Sequence, residues 1–292
     1  MKILVTGATG RIGRSLVKRL EATHKLVLLS KSPAPGIGSL YQINLTDRRA
    51  LSKLIKDEKL EAIIHLAGLL APACEANPGL AQQINVEATE FLAKVAQENN
   101  VKTFIFASSS GVYNQTELSP TDEFHNVEPL SVYGETKLQA ENKLELLAAK
   151  SDTKIISLRL FNIYGTDFTD SLISKLLESR ADKPATLYGP DNFYRDYIHI
   201  SDIASAFEEM LNTNGNNYEV YNIGSGEVLS NSQLVTELDK AGAKVYFNVK
   251  KCQNSISWAD IARVTKATNW QPTFKFKEFV KELNNDARRT KN

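Results

Sequence analysis

Through the first half of the chain, short apolar and β-branched runs alternate with segments whose apolar residues recur every three or four positions. The runs read as strands and the spaced segments as helices with one apolar face. Strands are predicted over residues 2–6, 25–30, 39–45, 61–66, 101–107 and 154–160. Ile12, Leu16, Val17 and Leu20 form one helical stripe, and Ile84, Ala88, Phe91, Leu92 and Val95 another. Strands alternating with amphipathic helices predict βαβ units and a doubly wound parallel sheet. Beyond Gly165 the order loosens. Helices are expected near 169–180, 201–212, 230–240 and 274–284, with short strands at 218–222 and 244–248. The chain is therefore divided into residues 1–165, carrying the sheet, and 166–292, mainly a smaller α/β cap, some of whose segments return to the core sheet. Ser32-Pro33-Ala34-Pro35-Gly36 reads as a loop after the second strand.

Composition narrows the partners. The 292 residues are 42% hydrophobic, enough for a large core, and 35 basic against 34 acidic side chains leave no field to attract nucleic acid or an anionic membrane. Any anionic ligand must be held locally. The longest apolar run, Ala62 to Ala73, is broken by His65 and Pro72 and falls short of the about 20 residues a membrane helix needs. Cys74 and Cys252 stand far apart, with no Cys or His at metal-ligand spacing. No metal is expected, and the thiols together with a first strand that begins at Lys2 point to the cytoplasm.

The chemistry begins at the first strand–helix junction, Thr6-Gly7-Ala8-Thr9-Gly10-Arg11-Ile12-Gly13. Glycines there let a pyrophosphate approach the backbone N–H groups of a helix start, so Gly7, Thr9, Gly10, Arg11, Ile12 and Gly13 are assigned to a dinucleotide. An acidic residue at the end of the second strand would bind a ribose 2′-hydroxyl and repel a 2′-phosphate. Here Ser30-Lys31-Ser32 stands instead, which favours NADP over NAD. Tyr133 and Lys137 lie four residues apart on one predicted helix face, where an ammonium would lower the phenol's pKa and fit Tyr133 for proton transfer. Ser108, Ser109 and Ser110 end a strand on the sheet's carboxyl edge, where ligands of such sheets bind.

The glycine spacing and the Ser-Tyr-Lys set resemble the short-chain dehydrogenase/reductases. With His65-Leu66-Ala67-Gly68, Asn85, Arg159-Leu160-Phe161-Asn162-Ile163-Tyr164-Gly165, Arg195-Asp196-Tyr197-Ile198-His199 and Tyr221-Asn222-Ile223-Gly224, nearly the whole chain resembles the extended branch, the NAD-dependent epimerase/dehydratase family. The resemblance implies a Rossmann-like fold with a substrate-binding cap, a nucleotide-sugar substrate and a homodimer formed through the helices starting near Gly79 and Tyr133. It makes Ser109, Tyr133 and Lys137 catalytic, and adds Leu66, Ala67, Gly68 and Asn85 to the cofactor site. It assigns Ser109, Ser110, Asn162 and Arg195 to the substrate, the last two at its diphosphate. Asn44-Leu45 occupies the place where the family usually has an Asp and an aliphatic residue at the adenine.

Two departures limit the reaction. Ser110-Gly111 replaces the Asp-Glu pair of 4,6-dehydratases, and Gly111 stands in for the cysteine of 3,5-epimerising members. What remains is chemistry at sugar carbon 4: epimerisation, or net reduction of a 4-keto sugar. A non-catalytic NAD(P)-binding scaffold or redox sensor is the competing class, and retention of Ser, Tyr and Lys argues against it. Asp196 and Asp202 are expected to be structural, Asp202 as a helix N-cap, and His199 to be buried and hydrogen-bonded.

Overall fold

Apolar runs of the first half form strands covered on both faces, as a parallel sheet requires. A computed structural model describes residues 1–33, 40–274, 276, 278 and 279. The chain begins β1 (Lys2–Thr6), α1 (Arg11–Leu20), β2 (Lys25–Ser30), β3 (Leu40–Gln42), α2 (Arg48–Glu58) and β4 (Ala62–His65). It continues with α3 (Ala71–Ala76), α4 (Pro78–Ala81), a π-helical turn (Gln82–Glu87), α5 (Ala88–Glu98), β5 (Thr103–Ser109), a 3₁₀ turn (Ser110–Val112) and α6 (Val132–Ala148). Then come β6 (Lys154–Leu160), β7 (Asn162–Tyr164), α7 (Leu172–Leu177), β8 (Ala185–Tyr188), β9 (Phe193–His199), α8 (Ile200–Met210) and β10 (Tyr218–Ile223). The described elements end with β11 (Val228–Ser230), α9 (Asn231–Lys240), β12 (Phe247–Lys250), β13 (Ser255–Ser257) and α10 (Ala262–Thr268).

Seven parallel strands lie in the order β10-β6-β5-β4-β1-β2-β3. The order reverses beside β1, so a crevice opens at the carboxyl ends of β1 and β4. Alternation along β1 separates the two layers. Ile3 and Val5 pack with Leu16 and Leu20 of α1 and with Ile203, Phe207 and Met210 of α8. Leu4 packs on the other face with Leu51 and Ile55 of α2, Leu92 of α5 and Leu144 of α6. A smaller core, including Tyr164, Ile173, Leu176, Leu234 and Leu238, lies under the cap.

Beyond Gly165 the chain serves both layers: β10 pairs with β6 in the main sheet, while β9 gathers β7, β11 and β13 into a small mixed sheet. The strand expected at 244–248 forms later, at Phe247–Lys250, in a two-stranded pair with β8. Most of the helix expected at 274–284, and residues 34–36 of the loop expected after β2, lie outside the described residues. Asp202 is not an N-cap. His199 caps α8, its ring nitrogen accepting from the Ser201 N–H, and Asp202 in the first turn accepts from the backbone of Thr273 and Phe274 at 3.1 and 3.0 Å. His199 is half-buried and stacks on Phe274. Asp196 is structural: its buried carboxylate accepts from Ser225, Gly226 and Ala259 backbone N–H groups, tying β9 to two loops. No described helix is long and apolar enough to cross a membrane, and no described cluster of three or more His, Cys, Asp or Glu could hold a metal ion.

Candidate active site

The crevice is a cleft of about 620 Å³. Its floor is the glycine turn. Gly7 adopts φ +68°, and a Cβ on Gly13 would stand 2.2 Å from the Gly7 carbonyl oxygen, so only glycine lets α1 start this close to β1. Gly10, the N-cap of α1, offers no side chain to cap the helix, leaving the first N–H groups available to an anion. Thr9 hydrogen-bonds Ser30 at 2.6 Å, joining the turn to the end of β2. Lys31 beyond it is exposed. Ser30, Lys31, Asn44, Leu45, Leu66, Ala67 and Gly68 all border the cleft, as do Thr9, Arg11 and Ile12. Among the described lining residues the ionic side chains are Arg11, Lys31 and Lys137, with no carboxylate. That charge, the open helix start and the size of the cleft fit a dinucleotide pyrophosphate.

Asn85 is placed differently from the expectation. It is 1% exposed and stands behind the wall, its amide spent on the Leu69 backbone, Cys74 and Thr136. It fixes the loop after Gly68 against α6 rather than facing the cleft, because the π-helical turn points it inward.

The chemical wall is made where β5 ends against α6. Ser131 caps α6, and a Cβ on Gly134 would stand 2.2 Å from the Gly111 oxygen. This close packing brings Tyr133 beside the turn that carries Ser109. The Ser109 hydroxyl accepts from the Gly111 N–H at 3.0 Å. Lys137, 5% exposed, donates to the Ala107 carbonyl at 2.8 Å, and its Nζ lies 5.7 Å from the Tyr133 ring centre. Burial pulls the Lys137 ammonium down to about 8, with Cys74 and Glu141 acting against it. The Tyr133 phenol is raised above its ordinary value by burial, and Ser109 works the other way. The expected lowering by Lys137 is not seen in this geometry: loss of water costs the phenolate more than the Ser109 hydroxyl returns, and the ammonium is not among the groups that move the phenol. Of the three serines, Ser108 turns away to Glu141, which forms a buried ion pair with Arg159 at 2.7 Å.

Ser110, Asn162 and Arg195 sit at the edge where core and cap meet, not among the residues lining the cleft. Asn162 donates to the Asp196 carbonyl at 2.9 Å and to Ser257 at 3.3 Å, and Ser257 donates to Ser110 at 3.5 Å. Arg195 stacks on Phe193 and donates to Ser255 Oγ at 2.7 Å. Among the described residues no carboxylate lies within salt-bridge distance of it. Burial draws it down to about 10, which leaves it a cation at neutral pH. Ser255 and Ser257 carry no local sequence signal; only their pairing with β9 brings them here.

Fold and site together define a dinucleotide-binding α/β protein with Ser109, Tyr133 and Lys137 lining its cleft. The chain belongs to the NAD dependent epimerase/dehydratase family, whose pattern it matches over residues 3–224. It is 28% identical to a UDP-glucose 4-epimerase of Bacillus subtilis, with 93% of this chain and 92% of that one covered. It is 29% identical to a UDP-glucuronate 4-epimerase of Thermodesulfobacterium geofontis, with 97% and 94% covered. The fold matches that of a UDP-glucuronic acid 4-epimerase from Bacillus cereus solved with UDP-glucuronic acid and NAD: TM-score 0.85, 26% identity, 96% of both chains covered.

Proposed function

We propose that the chain inverts the carbon-4 hydroxyl of a nucleotide-sugar, using a bound nicotinamide dinucleotide that is oxidised and reduced within one turnover. The observation that carries this is Ser109, Tyr133 and Lys137 gathered on one wall of a cleft whose described lining holds cations and no carboxylate. The relatives named as 4-epimerases over nearly the whole chain support it.

Bound in the cleft, the nicotinamide supplies a hydride acceptor and then donor. The chain's own part is proton transfer and orientation. Acting as the phenolate, Tyr133 takes the proton from the carbon-4 hydroxyl as hydride departs and returns it when the ketone is reduced from its other face. Ser109 holds the oxygen, and the Lys137 ammonium offsets charge on the phenol. Inversion requires the sugar to turn while its diphosphate stays anchored. Arg195, a half-buried cation with no acidic partner among the described residues, and Asn162 serve as that anchor.

The cofactor's adenosine end is read from this chain's own residues: Lys31 beside Ser30 and the absence of a lining carboxylate support a 2′-phosphate, hence NADP over NAD. Titration of both cofactors against Lys31→Asp tests this, and equal affinities unmoved by the substitution remove Lys31 from the assignment. The same lysine favours the second reading, net reduction of a 4-keto sugar. Incubating the protein with UDP-hexoses and, separately, with a UDP-4-keto-hexose and reduced dinucleotide, and following both the epimer ratio and nicotinamide absorbance, separates the two. Epimer formation without net cofactor consumption is expected; consumption matching product overturns epimerisation. The protein acts as a homodimer through the helices starting near Gly79 and Tyr133, the second of which carries the 62% exposed Leu146. A monomer in sedimentation at micromolar concentration would contradict that.

A further inference from the structure

The segment Gly165–Ser171, between β7 and α7, crosses back onto the start of α1, more than 150 residues earlier in sequence. Arg11 bonds Asp170, and its guanidinium lies 4.5 Å from the Phe168 ring centre. Arg14 reaches Asp167 at 3.1 Å and also donates to the Thr9 carbonyl at 2.8 Å. Phe168 is 8% exposed and borders the cleft. Its N–H donates to the Gly165 carbonyl at 3.0 Å, and its carbonyl accepts from Ser174 Oγ at 2.8 Å. One aromatic ring is thus held in the cleft wall by two arginine–aspartate pairs that attach to the glycine turn.

We propose that this segment is a strap latched over the pyrophosphate turn by Arg11–Asp170 and Arg14–Asp167, and that the latch slows release of the dinucleotide. The proposal rests on the cofactor reading above and adds residues to it that face the ligand only through Phe168 and Arg11.

Both ion pairs are solvent-accessible, Asp170 being 69% and Asp167 51% exposed, so neither contributes much to folding. Their leverage is local. They join a short segment to the helix start that would hold the phosphates, and the strap lifts only when both open. Epimerisation gives such a latch a purpose, because the cofactor that accepts the hydride must still be present to return it. Asp167 and Asp170 are therefore retention residues, outside the proton-transfer set.

The test uses the full chain loaded with NADP or NAD and freed of excess, with release followed after dilution into a cofactor scavenger. Asp167→Asn/Asp170→Asn should release cofactor on the order of 3- to 10-fold faster than the unaltered chain, at unchanged melting temperature. Added salt should speed release more in the unaltered chain than in this variant, because screening opens the pairs that the variant lacks. Asp170→Glu, which keeps the charge, should release more slowly than Asp170→Asn. Equal release from both proteins across the salt range overturns the latch while leaving the function standing. Failure to bind either dinucleotide overturns the cofactor reading and the latch with it.

Discussion

On the glycine-turn side of the cleft, the groups lining it are backbone N–H groups of a helix start and the cations Arg11, Lys31 and Lys137. On the cap side, Asn162, Ser110 and Ser257 hydrogen-bond one another or the backbone, and Arg195 is held by Ser255. The first side is fixed by sheet order and glycine contacts that exist whatever binds. The second is fixed by side chains whose partners are each other. A ligand entering there must exchange existing hydrogen bonds for its own, so the net gain is modest for each neutral contact and larger for the charged Arg195. The contrast assigns rate to one wall and substrate affinity to the other.

Removing the phenolic oxygen is the strongest way to break this division. Tyr133→Phe should lower turnover on the order of 10²-fold or more, with cofactor affinity nearly unchanged, because general acid/base catalysis contributes about 10²–10⁴. Ser109→Ala should also act on turnover, more than Ser108→Ala, whose hydroxyl is turned to Glu141. Steady-state kinetics with cofactor titration check both. Wild-type turnover in Tyr133→Phe would mean that the proton travels by another route.

Arg195→Met keeps the stacking length and deletes the charge. A hydrogen bond to a charged group is worth about 1.5–3 kcal/mol, so KM for the nucleotide-sugar should rise about 10- to 100-fold while kcat changes little. A fall in kcat with KM unmoved would place Arg195 on the rate-setting wall and erase the contrast.

The pH profile follows from Lys137. Burial holds its pKa near 8, below the ordinary lysine value, so the ammonium is present at neutral pH and is lost as pH rises through about 8. Because the charged form supports the phenolate, turnover should fall about tenfold per pH unit above that point. Activity level to pH 10 would show that the ammonium is not needed.

The two walls were also unequally legible in the sequence. Strands β1, β2, β4, β5 and β6 are buried on both faces and announce themselves as apolar runs, and the stripe Leu16–Leu20 marks its helix by period alone. Gly13, Tyr133 and Lys137 carry spacing signals because each acts through its own turn of backbone. The small sheet around β9 offers no such signal: β7 and β13 are three residues long, with partners 35 and 62 positions away at Asn162–Tyr197 and Arg195–Ser257. Asn85 lies in a π-helical turn and is buried against the Leu69 backbone and Thr136, a placement that residue type alone does not reveal. The phenol's pKa misled for a different reason: the Tyr–Lys spacing is local, but the burial that dominates it comes from the whole fold.

Ser257 offers the smallest and most discriminating test, since nothing in the sequence marked it. Its hydroxyl links Asn162 to Ser110 across the seam between cap and core, yet it bears no charge, and Asn162 keeps its bond to the Asp196 carbonyl. Ser257→Ala deletes one neutral hydrogen-bonding group, worth about 0.5–1.5 kcal/mol, so KM should rise only about 2- to 10-fold. If the hydroxyl only braces the seam, melting temperature falls and KM for every nucleotide-sugar shifts alike. If it meets the substrate, the shift differs between sugars that differ around the ring, with melting temperature steady. A sugar-dependent change is expected, because Ser257 adjoins Ser110, the residue after Ser109, the proposed catalytic hydroxyl. Uniform change with lost stability would return Ser257 to a structural role and confine substrate reading to Arg195 and Asn162.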